Sequence, residues 1–380
     1  MAKMNKVVAF RPKDMDVTVQ PGVSWNDLND LLKPHGLFLP VDPGPHAHIG
    51  GMISTSASGT NAVKYGTMKD WVLNLTVVLP GGKVIKTRSR ARKSSTGYDL
   101  TRLFCGAEGT LGIITEATLK LTHLPEKEIV GAVAFDSNTS AADAVSKALA
   151  AGVEPRCIEL LDSTCIAAVN QSLKNTPKFP VKTHIFFKLA GQASVVPQQQ
   201  AVLTSILMQN GGGQLRIATD PKEGERLWEI RKTLAYSLVH AFPGTEVIST
   251  DVCVPMSSLP ILIEQYKKDQ EQINEELADD EEEGRLNSLI MGHVGDGNFH
   301  SMMYVCYPII TDCSAFEKGN KQLKKLAKTL ERKVVANALA LGGSCSGEHG
   351  VGHHKLVLEL FNSSDNRNLC HKNTVQMNYS

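Results

Sequence analysis

The alternation of apolar and polar positions in the first third of the chain predicts short strands and helices joined by turns. Residues 17–23 (VTVQPGV) are typical of a strand that ends at Pro21-Gly22. Residues 24–32 (SWNDLNDLL) begin with a serine at a capping position and continue with apolar residues at helical spacing, which predicts an amphipathic helix. Residues 73–86 are rich in Val, Leu and Ile around Pro80-Gly81-Gly82, which predicts a hairpin.

A second α+β unit is predicted to begin near Pro125. Residues 130–135 alternate like a strand, residues 140–151 are Ala-rich with helical spacing, and residues 316–341 have a long helical pattern with a basic face. We therefore divide the chain into residues 1–124, residues 125–352 and a divergent polar tail, residues 353–380. The tail lacks periodicity and is not expected to pack.

Composition narrows the class of protein. The chain has 380 residues, 42% of them hydrophobic, which suffices for two or three domains with large cores. Lys and Arg number 40 against 39 Asp and Glu, and this balance disfavours nucleic acid as a partner. The eight cysteines form no C-x-x-C pair, which argues against a disulfide framework. No apolar run approaches the roughly 18 residues of a membrane span, and no targeting segment is visible.

The segment from His293 to His300 (HVGDGNFH) carries the sharpest chemical signal. On one straight strand, side chains seven residues apart point to opposite faces. If Asp296-Gly297 forms a two-residue turn, the two histidines lie directly opposite each other on a hairpin, with Cβ atoms about 4.5–5.5 Å apart. They are then close enough to bind one divalent ion. The alternative is a pair of buried histidines beside a glycine-rich turn.

A third ligand is available in Gly347-Glu348-His349-Gly350. Two histidines and one carboxylate leave positions on a metal open for a substrate oxygen. His349 would then serve as a base, because an imidazole has an ordinary pKa near neutrality. The same three ligands would also suit a metal-dependent hydrolase that activates water. An exposed glycine-rich loop remains the structural alternative.

Two glycine-rich stretches, residues 40–66 and residues 106–115, resemble cofactor loops. Small residues bring backbone N–H groups and hydroxyls close to a diphosphate without obstruction by Cβ atoms. Neither stretch fits G-x-G-x-x-G after a strand or G-x-x-x-x-G-K-[ST], so Rossmann and P-loop sites are excluded. By composition alone, both stretches could equally be structural turns.

Taken in order, these motifs, together with residues 97–100 (GYDL) and 249–255 (STDVCVP), resemble the FAD-linked 2-hydroxy acid dehydrogenases of the vanillyl-alcohol-oxidase flavoprotein superfamily. The likeness is greatest to the D-lactate dehydrogenases of mitochondria and extends over residues 15–352. It implies an α+β fold, with part of a PCMH-type FAD-binding domain followed by an α/β cap domain that has a largely antiparallel sheet. It also implies a mitochondrial location.

The resemblance implies FAD and a divalent metal, zinc or manganese, as cofactors. Position by position, His293, His300 and Glu348 match metal ligands, His349 matches the base, and Arg231 matches the group that binds the substrate carboxylate. A guanidinium suits that role because it pairs with a carboxylate bidentately. From the sequence alone, Arg231 could instead face solvent or pair with a neighbouring glutamate. The implied FAD contacts are Pro43, Gly44, Gly50, Gly51, Thr55, Ser58, Gly59, Gly66, Glu108, Gly109, Gly112, Ile113 and Ile114.

The implied reaction is oxidation of a D-2-hydroxy acid, with D-lactate as the expected substrate and pyruvate as the product. The metal would bind the hydroxyl and carboxylate oxygens, and the C2 hydride would move to flavin N5, with an acceptor such as cytochrome c reoxidising the flavin. Relatives that use 2-hydroxyglutarate need extra polar residues for the second carboxylate, whereas this chain has Met302 two residues after His300 and Ser249 where those relatives have a lysine. An apolar pocket therefore favours a short acid, and 2-hydroxyglutarate remains the alternative.

The chain also departs from the family pattern at both ends. A glycine-rich pyrophosphate loop is expected before the segment equivalent to residues 1–23, and a closing helix is expected after Gly352, but neither pattern is found. We therefore expect a chain truncated at both ends. The competing hypothesis is a non-catalytic fragment that keeps a metal-binding cap and holds no flavin. A visible flavin spectrum would separate the two.

Overall fold

Two large antiparallel sheets and one two-stranded sheet organise the part of the chain that the structure describes. The computed structural model describes residues 3–173, 178–241, 248–277, 285–306, 313–314, 321–352 and 355. The predicted tail, except Lys355, and the start of the predicted helix at residues 316–320 lie outside the described residues. One sheet ends before His123 and the next begins at Lys127, so the sheets change at the segment where the sequence predicts a boundary.

The first unit is built on a five-stranded sheet in the order β1-β2-β6-β4-β5. Its short helices and glycine-rich loops lie on the sheet and enclose one apolar core. The elements are β1 (Val7–Arg11), β2 (Asp16–Val19), α1 (Trp25–Leu32), β3 (Leu37–Phe38), α2 (Ile49–Ser54), α3 (Ala62–Tyr65), α4 (Met68–Trp71), β4 (Val72–Val78), β5 (Val84–Lys86), α5 (Leu100–Phe104), β6 (Ile113–Lys120) and β7 (Thr122–His123).

The second unit is built on a nine-stranded sheet in the order β11-β8-β10-β9-β14-β15-β12, with β13 and β16 also paired to β15. All pairs in both large sheets are antiparallel, which confirms the predicted α+β class. The elements are β8 (Lys127–Phe135), α6 (Asn138–Ala150), β9 (Cys157–Leu161), α7 (Ser163–Ser172), β10 (Thr183–Gly191), α8 (Val196–Gln209), β11 (Gly212–Ile217), α9 (Pro221–Ala241), β12 (Ile248–Ser249), β13 (Val252–Cys253), α10 (Leu259–Leu277), β14 (Arg285–Gly292), β15 (Asn298–Cys306), β16 (Cys313–Ser314) and α11 (Lys321–Ala340).

The local predictions agree with these elements. The amphipathic helix is α1, the hairpin around Pro80-Gly81-Gly82 is β4 and β5, and the Ala-rich helix is α6. The strand predicted at residues 130–135 is β8, but it is buried on both faces. Val130 packs in the core on the α9 side and Val133 in the core on the α6 and α8 side, because helices cover both faces of this sheet.

The turn between His293 and His300 differs from the predicted two-residue hairpin. In β14 and β15, Met291 and not His293 lies opposite His300, so residues 293–297 form a five-residue loop. Inside this loop, the N–H groups of Asp296 and Asn298 donate to the His293 carbonyl. The register is shifted by two residues, and an even shift keeps side chains on the same face of a sheet. His293 can therefore approach His300 although the two do not form a cross-strand pair.

Within the described residues, no helix combines the length and the apolar character that crossing a membrane requires.

Gly297 is the position in this loop where only glycine fits. Its φ is +75°, and a Cβ atom would overlap the Val254 carbonyl oxygen. Gly82 has a similar φ of +86° with open space around it, which makes it a matched control. Gly82→Ala should cost only the left-handed strain, about 1–3 kcal/mol. Gly297→Ala should lower the thermal unfolding midpoint clearly more, and equal midpoints for the two variants would contradict the tight packing of this loop.

Candidate active site between the two units

A cavity of about 800 Å³ lies where the loops of the first unit meet the second unit. The first unit contributes the loop before α2, the face of α2 and the loop before α3. The second unit contributes charged, polar and methionine side chains from five segments: Arg231, Ser249, Thr250, Met291, His293, His300, Met302, Glu348 and His349.

A second cavity of about 690 Å³ adjoins the first. Its walls come from the strand-helix turn at Pro21 and Gly22, from α2, and from the turn that leads into β6. His48 and Gly51 line both cavities, so the two form one extended groove. Gly50 makes this close approach of loops possible, because a Cβ atom there would lie 2.5 Å from the Pro21 side chain. An elongated groove lined by small residues suits a dinucleotide.

The structure brings most of the predicted cofactor residues to this groove. Those that line one or both cavities are Pro43, Gly44, Gly50, Gly51, Thr55, Ser58, Gly59, Gly109, Gly112, Ile113 and Ile114. Gly66 and Glu108 line neither cavity. Gly66 has a φ of +74° and terminates α3, so its local role is structural.

The carboxylate of Glu108 joins the two units. It accepts hydrogen bonds from the backbone N–H groups of Val351, at 2.8 Å, and Gly352, at 3.0 Å. Glu108 itself has a φ of +49°, in the left-handed region that favours glycine. Its side chain therefore holds the loop after α11 next to the groove and does not point into the groove.

Three side chains converge on one point beside the groove. Oε1 of Glu348 lies 3.3 Å from Nε2 of His293 and 3.1 Å from Nε2 of His300. One ligand atom from each residue lies within 4.8 Å of the other two. His300 comes from β15, His293 from the β14–β15 loop, and Glu348 from the loop after α11.

The remaining ring nitrogens of both histidines have partners. Nδ1 of His293 is 2.7 Å from Oε1 of Glu159, and Nδ1 of His300 is 3.2 Å from the Thr250 carbonyl. Each partner accepts a hydrogen bond, so Nδ1 carries a proton and Nε2 is the ring nitrogen that faces Glu348. Metal-bound histidines in proteins are held in this way. Two imidazole nitrogens and one carboxylate oxygen therefore fit a zinc or manganese ion.

The carboxylates and imidazoles at this point shift each other's pKa. Burial lowers the pKa of His293, but the charges of Glu159 and Glu348 outweigh it and raise that pKa well above its ordinary value. Burial raises the pKa of Glu348, but His293 and hydrogen bonds from the surrounding histidines hold it far below its usual range. A site that favours positive charge on His293 also favours a divalent cation.

Asp251 anchors the loop that carries Glu348, and sequence reasoning did not assign it a role. Its carboxylate accepts hydrogen bonds from the backbone N–H groups of Gly347 at 3.0 Å, Glu348 at 3.1 Å and His349 at 2.8 Å. Lys355 adds a salt bridge at 3.1 Å. Burial raises the pKa of Asp251, but the nearby positive charges outweigh it and leave the pKa well below its usual range.

His349 stacks on His300, with ring centroids 5.2 Å apart. Its Nε2 lies 3.4 Å from Oε1 of Glu348, and its side chain is 55% exposed beside the larger cavity. The hydrogen bond to Glu348 raises the pKa of His349, against the effect of burial. The predicted base therefore lies next to the predicted metal ligands.

Arg231 lines the same cavity and is paired with a carboxylate that the sequence did not indicate. Its Nε and Nη2 lie 2.9 Å and 2.7 Å from Oε2 of Glu159. The two candidate partners nearby on α9, Glu225 and Glu229, do not form this salt bridge. Glu159 stands alone among apolar residues in the fully buried strand β9, and a lone acid in such a strand is a signal that could have been used.

Comparison with known families identifies the class of protein. Residues 124–372 match the family described as FAD linked oxidases, C-terminal domain. Residues 1–88 match an FAD binding domain. The first match covers more than half of the chain. The chain therefore belongs to the family of FAD-linked oxidases.

Relatives within this family include several D-lactate dehydrogenases. The chain is 40% identical over 357 residues to the D-lactate dehydrogenase [cytochrome], mitochondrial, of Arabidopsis thaliana, covering 94% of this chain and 59% of the relative. It is 41% identical to the probable D-lactate dehydrogenase, mitochondrial, of Danio rerio, and the match covers 94% of this chain and 68% of that relative. Glycolate oxidase subunit GlcD of Bacillus subtilis is 30% identical to this chain, and the match covers 93% of this chain and 70% of that relative. This chain thus spans about 59–70% of the length of these relatives, and the two dehydrogenases support a mitochondrial location.

Solved structures share the fold at lower identity. The chain superimposes on alkyldihydroxyacetonephosphate synthase with a TM-score of 0.68 at 21% identity, covering 90% of this chain and 62% of that chain. For p-cresol methylhydroxylase with substrate bound, the TM-score is 0.64 at 16% identity, covering 90% and 70%. These likenesses confirm the predicted PCMH-type fold.

Removing one ligand should weaken metal binding without unfolding the chain. His300→Ala should lower zinc affinity by more than the roughly 10- to 100-fold that loss of an outer-sphere partner costs. Zinc content after gel filtration and competition with a chromophoric chelator would measure the change. His46→Ala is the matched control, since His46 is exposed in the first unit. Unchanged zinc affinity in His300→Ala would contradict the three-ligand site.

Gly51 offers a test of the groove. It is exposed, it lines both cavities, and a Cβ atom added there would have no other atom within 4 Å. Gly51→Leu should therefore keep the fold, since leucine favours a helix, but should obstruct an extended ligand. We expect FAD affinity, measured by flavin fluorescence, to fall at least about tenfold, or roughly 1.4 kcal/mol. Gly213→Leu, on the exposed part of β11, is the control, and equal FAD affinity for both variants would argue against FAD in this groove.

Proposed function

We propose that this chain takes part in FAD-dependent oxidation of a D-2-hydroxy acid, with D-lactate as the substrate and pyruvate as the product. The observation that supports this most is the convergence in one cavity of a glycine-lined dinucleotide groove, a cluster of His293, His300 and Glu348, and the guanidinium of Arg231. A 2-hydroxy acid has a carboxylate, which needs a cationic partner, and on the adjacent carbon a neutral hydroxyl, whose oxygen becomes negatively charged only as it loses its proton.

When bound, FAD would supply a hydride acceptor, and a divalent metal would supply a Lewis acid for the substrate oxygens. The residues of this chain orient the substrate. Arg231 binds the carboxylate through its guanidinium, and His293, His300 and Glu348 are the residues that would hold the metal. His349 lies beside these ligands at the cavity wall, and its imidazole accepts the hydroxyl proton.

The walls of the cavity favour a short acid. Met291 and Met302 line the cavity. Ser249, on β12, lies opposite Met302 on the neighbouring strand β15. Apolar side chains at these positions offer no cation for a second carboxylate, and burying an unpaired carboxylate is costly. Lactate, with a methyl group at this end, avoids that cost. The names of a plant relative and a yeast relative contain the word cytochrome. We propose that a cytochrome, such as cytochrome c, accepts the electrons from the flavin.

The test follows the flavin directly. The chain is loaded with FAD and zinc, and D-lactate is added without oxygen. The flavin absorption near the visible maximum should bleach with D-lactate and remain with L-lactate, because the two enantiomers place the C2 hydrogen on opposite sides. A flavin that binds but is bleached by neither enantiomer would contradict the proposed activity, and a chain that holds no flavin would favour the non-catalytic alternative.

Arg231 variants should weaken this reaction in a graded way. Arg231→Ala should lower kcat/KM for D-lactate by on the order of a hundredfold or more, because a charged hydrogen-bonding contact is lost. Arg231→Lys should recover part of the loss, since an ammonium lacks the planar fork. Arg216→Ala is the control, because Arg216 pairs with Glu223 outside the cavity. A normal kcat/KM in Arg231→Ala would rule out its assignment to the substrate carboxylate.

A further inference from the structure

One buried carboxylate lies behind both cationic elements of the site. Glu159, in β9, has no exposed surface. Its Oε1 is 2.7 Å from Nδ1 of His293, and its Oε2 lies 2.9 Å and 2.7 Å from Nε and Nη2 of Arg231. Glu159 does not line the cavity, so it acts through these two residues.

We propose that Glu159 is a shared positioning residue that sets the orientation of His293 and of Arg231 at once. This proposal rests on the proposed function for the roles of the metal and of the substrate carboxylate. With one oxygen, Glu159 fixes the proton of His293 on Nδ1 and turns Nε2 toward Glu348. With the other, it holds the guanidinium of Arg231 at the cavity wall.

The chemistry of the three groups makes this arrangement specific. A guanidinium has only donors, and an ionised carboxylate has only acceptors. Nδ1 of His293 must therefore be the donor in its contact with Glu159, so Nε2, which faces Glu348, is the nitrogen left for a metal. Because β9 carries a single carboxylate that contacts both residues, the separation between the metal position and the guanidinium is set by the width of one side chain.

A purely structural ion pair would behave differently. Burying a charge pair is a weak contribution to stability, and apolar residues of similar volume often replace such a pair without loss. If Glu159 and Arg231 only neutralise each other, replacing both with methionine should leave the metal ligands unchanged. If Glu159 orients His293, the same replacement removes the acceptor at Nδ1 and should weaken metal binding.

Two charge-balanced double variants separate these roles. In Glu159→Gln with Arg231→Met, the amide oxygen is free to accept from Nδ1 of His293. In Glu159→Met with Arg231→Met, a side chain of nearly the same length offers no such acceptor. The probe is zinc alone, measured by chelator competition without FAD or substrate, and cobalt absorption reports the geometry of the ligands. Circular dichroism checks that each variant folds.

We expect the Gln-Met variant to bind zinc within a few-fold of the unmodified chain and the Met-Met variant to bind roughly 10- to 100-fold more weakly. Equal zinc affinity in the two double variants would overturn the role of Glu159 toward His293. If the unmodified chain binds no zinc, both this proposal and the metal site are overturned. Flavin bleaching by D-lactate then still decides whether the chain is a dehydrogenase.

The single variant Glu159→Gln tests the sharing of the carboxylate. Arg231 is then present and competes for the only amide oxygen, so the amide N–H₂ group faces Nδ1 and drives the proton to Nε2. Zinc affinity should fall below that of the Gln-Met double variant, and equal values would overturn the shared role. Glu128→Gln is the matched control, because Glu128 also bridges two cations, Arg156 and Lys188, away from the site. It should bind zinc as the unmodified chain does.

Discussion

The geometry of the site depends on hydrogen bonds from consecutive backbone N–H groups to the carboxylate of Asp251. These bonds bend residues 347–349 around one buried acid, so that Glu348 is directed toward His293 and His300. Satisfying several N–H groups with one carboxylate also removes the cost of burying them. An isolated β-bridge between Cys253 and Ser344 fixes the start of the loop after α11. Asp251 fixes residues 347–349 beyond it.

A second carboxylate links this loop to the first unit. Glu108, in the turn that leads into β6, accepts hydrogen bonds from the N–H groups of Val351 and Gly352. These two residues follow shortly after the segment that Asp251 binds. Two acids from different units thus hold successive parts of one loop. The groove and the cluster of His293, His300 and Glu348 are therefore linked to each other through this loop.

The sequence predicted the secondary structure well, because it follows from local patterns. The hairpin around Pro80-Gly81-Gly82 and helix α1 are encoded by turn residues and by periodicity. Glycine-rich stretches, similarly, reveal where backbone must approach a ligand. The register of β14 and β15 was predicted incorrectly, because contacts of Gly297 with the distant Val254 decide the length of the turn. A two-residue turn is the favoured local choice, and tertiary packing overrode it.

Long-range partners were the part that the sequence could not reveal. Arg231 is separated from Glu159 by 72 residues, and Asp251 from the loop it anchors by almost 100. For Arg231 the apparent partners in sequence, Glu225 and Glu229, were neighbours on the same helix, whereas the structure uses an acid on another element. Burial explains the choice: a charge that faces an enclosed cavity needs an equally buried counter-charge, and exposed neighbours on one helix cannot supply it. A lone acid within an apolar strand, such as the glutamate in Cys157–Leu161, is therefore the sequence feature that best indicates a buried counter-charge for such a site.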